Sequence, residues 1–347
     1  MPVKRLTEKM APTIKDVAKK ADVSIATVSL VVHNSERISS ETRKRVLKVI
    51  KELNYYPSRS ARDLVSRKTG NIGFILTADH FLRTEPFYTK IFLGTEFEAH
   101  INEYYILLTT VDTDFRKGDL LPRFVLERSV DGVIIAGKVP DTLIESIQEH
   151  NLPIVFVDYV PSTGDYPTIM IDNTKGGTVA TQHLLQLGHS NIAFIAGDIN
   201  HPSINDRFHG YKTALEKAGI SINSNYIITD EDYPARANGY SAARKLFANN
   251  NEITACFACN DAMAIGMLQY LKENNIRIPE DVSIIGFDDV EVDLLLNPSL
   301  TTIRVPKIEI GAEAVRLMVG LLKNKESSPK KIFVPIELIV RNSTTQI

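Results

Sequence analysis

From Asn71 onward the chain alternates short runs of β-branched and aromatic residues with stretches of helical period, which leaves few architectures open. The runs are NIGFIL, YYILLTTV, GVIIA, PIVFVD, NIAFIAG, YIITDED, ITACFAC and VSIIGFDD, with amphipathic patterns between most of them. Strands separated by helices pair in parallel, and the crossover helices cover both faces of the sheet. So many strands exceed one Rossmann-like unit, and TIMID at 168–172 reads as the start of a second series, so two α/β lobes are expected. Ligands of such open sheets bind outside the carboxyl ends of the strands, and two facing lobes would make a cleft there.

Polar residues stand at those strand ends. Asp158 closes PIVFVD, Asn260 and Asp261 follow ITACFAC, Asp288 and Asp289 close VSIIGFDD, and Arg207 follows NIAFIAG by a loop and a helix start. Carboxylates, an amide and a guanidinium suit vicinal hydroxyls, while aromatic faces stack on a sugar ring or a base. Phe87, Tyr88 and Tyr233 are the aromatics expected with them. Asp261 and Asp289 read instead as helix-cap or turn residues, and Gly176-Gly177 as a helix start, since neither G-x-G-x-x-G nor a Walker pattern surrounds it.

The segment before Asn71 is of another kind. Thr13 is an N-cap before Ile14, Val17, Ala18 and Ala21, one apolar face at i, i+3, i+4 and i+7. After a turn at Ala21-Asp22-Val23, Ser24 caps a second helix to about Val32, with Val28 and Val31 inward and Ile25, Ala26, Ser29, Leu30 and His33 on the other face. A third helix is expected from Ser40, with Val46, Leu47, Ile50 and Leu53 as its stripe. Helix, tight turn, helix and supporting helix is the helix-turn-helix plan.

Charge is divided in the same place. Residues 1–69 hold 16 Lys+Arg against 7 Asp+Glu, whereas the remainder holds 24 against 35. A basic head on an acidic body suits a protein whose head sits on phosphates.

Other chemistries find little support. Cys256 and Cys259 lie in an apolar strand, where residues three apart face opposite ways, and further ligands at metal spacing are missing, so both read as buried, reduced core residues. No catalytic triad or paired-carboxylate arrangement follows from spacing, so neither catalytic residues nor a cofactor nor a metal are expected. No apolar run approaches the roughly 18 residues of a spanning helix, and MPVKRLTEKMAPT lacks a signal peptide's apolar core, which points to a cytoplasmic protein without membrane contact.

The segments TIKDVAKKADVSIATVS, SSETRKRVLKVIKELNYYPSRSARDL, DNTKGGTVATQHLLQLGHSNIAFIAG, CNDAMAIG and IIGFDD together resemble the lactose-repressor (LacI/GalR) family of bacterial transcription regulators, from about Thr13 to Asn342. The resemblance implies an all-α helix-turn-helix head and a hinge helix joined to a two-lobed α/β core with parallel sheets, like the periplasmic sugar-binding proteins. Lys4, Arg5 and Lys9 without a helical period make 1–12 an expected disordered basic arm, and the resemblance implies a head at 13–57, a hinge at 58–68 and a core at 69–347, with a first lobe of about 69–168 plus 306–326 and a second of about 169–300 plus 329–347. Partners would be double-stranded operator DNA, a small-molecule effector and a second copy of the chain, since no leucine heptads close the sequence.

Residue by residue, the resemblance gives the major groove Ile25, Ala26, Ser29 and Leu30, and phosphates Thr13, Ser24, Thr27 and Tyr55. His33, Arg59 and Arg62 join the DNA-facing set, Ala61 packs near the dyad, and Leu64 wedges into the minor groove. Leu30 replaces a common basic residue, so a guanine contact gives way to a thymine methyl. Asp63 in the hinge and His33 in place of a common Asn also depart from the pattern. Effector contacts fall on Phe87, Tyr88, Asp158, Arg207, Tyr233, Asn260 and Asp288, a set that implies a sugar or sugar derivative, with a nucleobase as the alternative. Induction and corepression stay equally open.

Overall fold

A computed structural model describes residues 12–32, 35, 37–55, 68–79, 87–162, 164–248, 252–323 and 331–347. The chain divides into a head, Met1–Thr69, and a core, Gly70–Ile347.

In the head, α1 (Ile14–Ala21), α2 (Ile25–Val32) and α3 (Ser40–Leu53) are the described helices. Asp16 reaches back to accept from the Thr13 amide and hydroxyl, and Ser24 and Ser39 accept from the amides of Thr27 and Thr42. Each helix start thus satisfies donors that have no partner within the helix. Val17, Ala18, Ala21, Val28, Val31, Val46 and Val49 form the core. Leu47, expected in the stripe of α3, is 49% exposed; Val46, Val49, Ile50 and Leu53 complete the i, i+3, i+4, i+7 face, and Leu47 falls beside it.

The core holds two six-stranded sheets. The first contains β1 (Asn71–Thr77), β2 (Tyr105–Val111), β3 (Gly132–Ala136), β4 (Ile154–Val157), β5 (Thr168–Met170) and β11 (Lys331–Phe333), in the order β2-β1-β3-β4-β5-β11, with every pair parallel. The second contains β6 (Ile192–Ile195), β7 (Ile227–Ile228), β8 (Ala255–Ala258), β9 (Ser283–Asp288), β10 (Thr301–Arg304) and β12 (Glu337–Ile339), in the order β7-β6-β8-β9-β10-β12, where only the last pair is antiparallel. Helices α4 (Phe87–Ile101), α5 (Arg123–Leu126) and α6 (Asp141–Gln148) lie between strands of the first sheet. Helix α7 (Asn173–Gln186) connects β5 of the first sheet to β6 of the second; α8 (Pro202–Lys217), α9 (Arg236–Phe247) and α10 (Asp261–Glu273) come between strands of the second, and α11 (Lys307–Leu322) returns to pack on α4.

Two lobe boundaries differ from the expectation. Residues 168–170 belong to the first sheet, because Thr168 and Ile169 pair with Phe156 and Val157. Residues 331–333 also belong there, paired with β5, so this part of the tail covers the edge of the first sheet before the chain recrosses to β12. TIM is therefore the end of one series, not the opening of the next.

Three helix pairs touch through glycine. A Cβ on Gly177 would lie 2.2 Å from the carbonyl oxygen of Arg207, and one on Gly210 would lie 2.2 Å from that of Thr174, so α7 and α8 meet backbone to backbone. Gly94 and Gly311 do the same for α4 and α11, and Gly239 and Gly266 for α9 and α10.

Candidate effector cleft and nucleic-acid interface

The strand ends of both lobes open onto one cavity of about 570 Å³, lined by Phe87, Tyr88, Asp158, Arg207, Tyr233, Asn260 and Asp288 among others. These are the seven residues assigned to an effector from sequence. Its walls also include Asp79, Asp198, His201, Ser203, Arg236 and Asn238, which sequence reasoning did not name. Asp198 stands just past β6 as Asp158 stands just past β4, so the strand-end rule applied once more would have found it.

Arg207 organises the cavity. Its Nε donates to Asn173 Oδ1 at 2.9 Å and Nη1 to the Cys259 carbonyl at 2.7 Å, while Nη2 stands 3.6 Å from Asp288 Oδ1. The guanidinium also stacks on Phe287, its central carbon 3.7 Å from the ring centre. Asn173, in the first turn of α7, carried no signal of this role, because a helix-start Asn usually reads as a cap.

Asp158 faces Arg207 from the first lobe. Its carboxylate accepts from the Tyr88 hydroxyl at 3.0 Å, and the Ser203 hydroxyl of the second lobe lies 3.5 Å away. Burial pushes its pKa up to about 6 against the pull of the Arg207 charge and the Tyr88 hydrogen bond, and the Asp288 charge adds to the rise. Asp158, Asp288 and Asp289 have φ of 57°, 116° and 55°, the left-handed region where a side-chain-bearing residue is strained. Asn260 caps α10, accepting from Met263 N, and its Nδ2 donates to the Pro234 carbonyl, which ties the Tyr233 loop to the strand end.

Asp261 and Asp289 sit behind this wall. Asp261 accepts from Thr302 Oγ1 and the Val290 amide, and burial followed by the nearby Asp293 charge drives its pKa well above the carboxylate range. Asp289 is half-buried; burial raises its pKa, but ion pairs with Arg341 and Arg304 prevail and hold it below the usual value. Both cysteines are buried and unpaired by disulfide; burial raises the Cys256 thiol pKa and pushes that of Cys259 up to about 12. Among the described residues no cluster of His, Cys, Asp and Glu is placed to hold a metal ion.

Gly176-Gly177 lies within α7, not at an anion-binding turn. Gly176 leaves room for the Phe287 ring and Gly177 lets α8 approach, so the pair seats both the guanidinium and the ring beneath it.

In the head, α2 is apolar on two sides. Val28 and Val31 are buried, while Ile25 is 46% and Leu30 37% exposed beside exposed Ala26 and half-buried Ser29. The helix thus turns Ile25 and Leu30 away from the head core, on the side opposite Val28 and Val31. Thr13 is exposed at the start of α1, and the Ser24 and Thr27 hydroxyls lie 2.9 Å apart at the start of α2. Tyr55, expected at a phosphate, is only 6% exposed and belongs to the head core. His33, Arg59, Ala61, Arg62 and Leu64, with the arm 1–11 and most of the hinge, lie outside the described residues.

Residues 13–58 match the model described as bacterial regulatory proteins, lacI family, and residues 181–344 match the periplasmic binding protein-like domain. The HTH-type transcriptional repressor PurR of Pasteurella multocida strain Pm70 is 33% identical over 333 residues, covering 95% of this chain and 98% of the relative. The chain belongs to the lacI family of bacterial regulatory proteins. This lacI-family chain is also similar to two solved structures. A lac repressor dimer bound to operator and the anti-inducer ONPF has a TM-score of 0.80 at 25% identity, and a CelR–cellobiose complex has 0.72 at 29%. Each comparison covers 96% of this chain and 99% of the other. The chain is therefore a DNA-binding transcription regulator, its helix-turn-helix head joined to a two-lobed α/β core of parallel sheets. Among the described residues no helix is long and apolar enough to cross a membrane.

Proposed function

We propose that the chain is a cytoplasmic repressor that binds a palindromic operator as a homodimer and answers to a carbohydrate held in the cleft between its lobes. The observation that carries this reading is the meeting of Asp158 and Tyr88 from one lobe with Arg207, Asn260 and Asp288 from the other in one cavity. Carboxylate, amide and guanidinium edges beside the Phe87, Tyr88 and Tyr233 rings suit a ring bearing several hydroxyls. The CelR neighbour holds cellobiose, and the lac repressor neighbour is a dimer on its operator.

A ligand that closes the lobes shifts DNA affinity only as far as it prefers one lobe arrangement to the other. Its route to the operator runs through the hinge, where Leu64 serves as the minor-groove wedge and Arg59, Ala61 and Arg62 flank it. A nucleobase is the second reading, favoured by the clustering of Phe87 and Tyr88, whose rings meet edge to face at 5.1 Å, and by the PurR relative.

A thermal-shift panel of D-ribose, cellobiose, their phosphates, hypoxanthine and guanine on the full chain tests the cleft, because a bound ligand stabilises by mass action. Stabilisation by a sugar that disappears in Arg207→Ala supports the carbohydrate reading, and stabilisation by the purines alone overturns it. Removal of residues 1–68 should abolish operator binding and spare the ligand-dependent shift. Recovery of the sugar unchanged after prolonged incubation separates a regulator from an enzyme. A gel shift in which Leu64→Ala binds operator as tightly as the wild type would sink the wedge.

A further inference from the structure

The crossover from β10 to α11 is held by a cation outside the lining of the effector cleft. Lys307 is the first residue of α11, a helix packed on α4 and on the strands of the first lobe, and it is only 8% exposed. Its ammonium donates to the carbonyl of Asp288, with the carbonyls of Asp289 and Val305 at 3.4 and 3.5 Å, and stands 5.8 Å from the centre of the Phe87 ring. An ammonium has three donors and no acceptor, so main-chain carbonyls of the second lobe and of the crossover answer its bonding capacity.

Those carbonyls belong to strained backbone. Asp288 and Asp289 are successive residues at positive φ, a conformation that persists only where the surroundings impose it. The Asp288 carbonyl also accepts from the Val305 amide at 3.4 Å, so one oxygen fastens both the crossover and the lysine to the end of β9. The carboxylate of that residue stands in the cleft beside Arg207. An ion pair also joins the lobes, Lys90 with Glu291 at 2.5 Å, but it is exposed to solvent and open to screening.

We propose that Lys307 is a positioning residue that makes the Asp288-Asp289 turn and the first turn of α11 one mechanical unit, so that displacement of the cleft acid is passed to the first lobe. Its regulatory meaning rests on the cleft as effector site. Its test is made without ligand and stands or falls independently of what the cleft binds.

Amide hydrogen exchange of the ligand-free full chain, followed by mass spectrometry, measures the unit directly. Lys307→Met should speed exchange about ten-fold or more in peptides over 288–290 and 305–311, with β3, β8 and the melting temperature unchanged. Lys307→Arg should recover most of the protection, Lys307→Gln, which keeps two donors without the charge, should lie between, and Glu291→Gln should match the wild type. Wild-type exchange in both Lys307→Met and Lys307→Gln overturns the proposal. So does acceleration spread equally through both lobe cores, which would make the lysine a general brace. If Lys307→Met does not fold, the Lys307→Gln comparison decides the matter on the same peptides.

Discussion

The guanidinium carbon of Arg207 lies 3.7 Å from the centre of the Phe287 ring, and the residue after that phenylalanine is the cleft acid Asp288. One strand thus supplies both the face on which the cation rests and the carboxylate that it approaches. The remaining guanidinium edges are held by Asn173 and the Cys259 carbonyl. Removing Arg207 leaves Asp288 and two acceptors without their shared donor, so Arg207→Ala should lose about 3 kcal/mol of stability in urea denaturation. Arg207→Lys should recover less than half of that loss, because a point ammonium cannot serve three acceptors and stack on a ring. Equal stability of the lysine variant and wild type would show that charge alone matters there.

Asp158 predicts a pH signature. Its folded pKa of about 6 exceeds the unfolded value near 3.8, so between those pH values the folded protein binds more protons than the unfolded one. Its contribution to stability is therefore present below the unfolded value, declines as pH rises through about 6, and is level above that. Asp158→Asn should raise the stability of the ligand-free protein at pH 7 by about 1–3 kcal/mol, an upper range set by 1.36 kcal/mol per pKa unit. It should also weaken sugar binding, the usual exchange of stability for function at a binding site. Denaturation of both proteins from pH 4 to 8 checks the prediction, and parallel curves would contradict it.

The contact between α7 and α8 sets a third expectation. A methyl on Gly177 would meet the Arg207 carbonyl at 2.2 Å, and the obstacle is backbone with no flexible end to move aside. Gly177→Ala should cost about 1–3 kcal/mol or more and displace Arg207 from Asn173. A smaller loss is expected for Gly176→Ala, where the neighbour at 2.6 Å is the edge of the Phe287 ring. Melting temperatures of the two variants rank them, and the reverse order would show that the ring is the less yielding neighbour.

Strands with a long apolar run and a polar terminus are legible from the residues alone, which is why the sequence pattern places Asp158, Asn260 and Asp288 at strand ends. Short edge strands are not. Residues 168–170 and 331–333 owe their sheet to pairing partners far along the chain, and three residues of alternating character carry no information about which neighbour they will find. Asn173, Phe287 and Lys307 were invisible for a related reason: each acts by touching a residue remote in sequence, and its type alone also fits a cap, a core position or a surface. Leu47 shows the limit of periodicity, since one position of helical drift separates a buried leucine from an exposed one.

The outward face of α2 gives the last expectation. Leu30 is 37% exposed and Ile25 46%, and the intervening Val28 is fully buried, so the apolar edge is not part of the head core. An apolar side chain in the major groove can recognise a thymine methyl but cannot make the bidentate contact to guanine that arginine makes, a pairing worth about 1–3 kcal/mol of discrimination. Selection of operators from a random duplex library should therefore give the wild type a half-site with thymine opposite Leu30. Leu30→Arg should move that single position to guanine while leaving the neighbouring positions, and the stability of the head, nearly unchanged. If both proteins select the same base there, Leu30 faces away from the base edges and α2 docks in a different register.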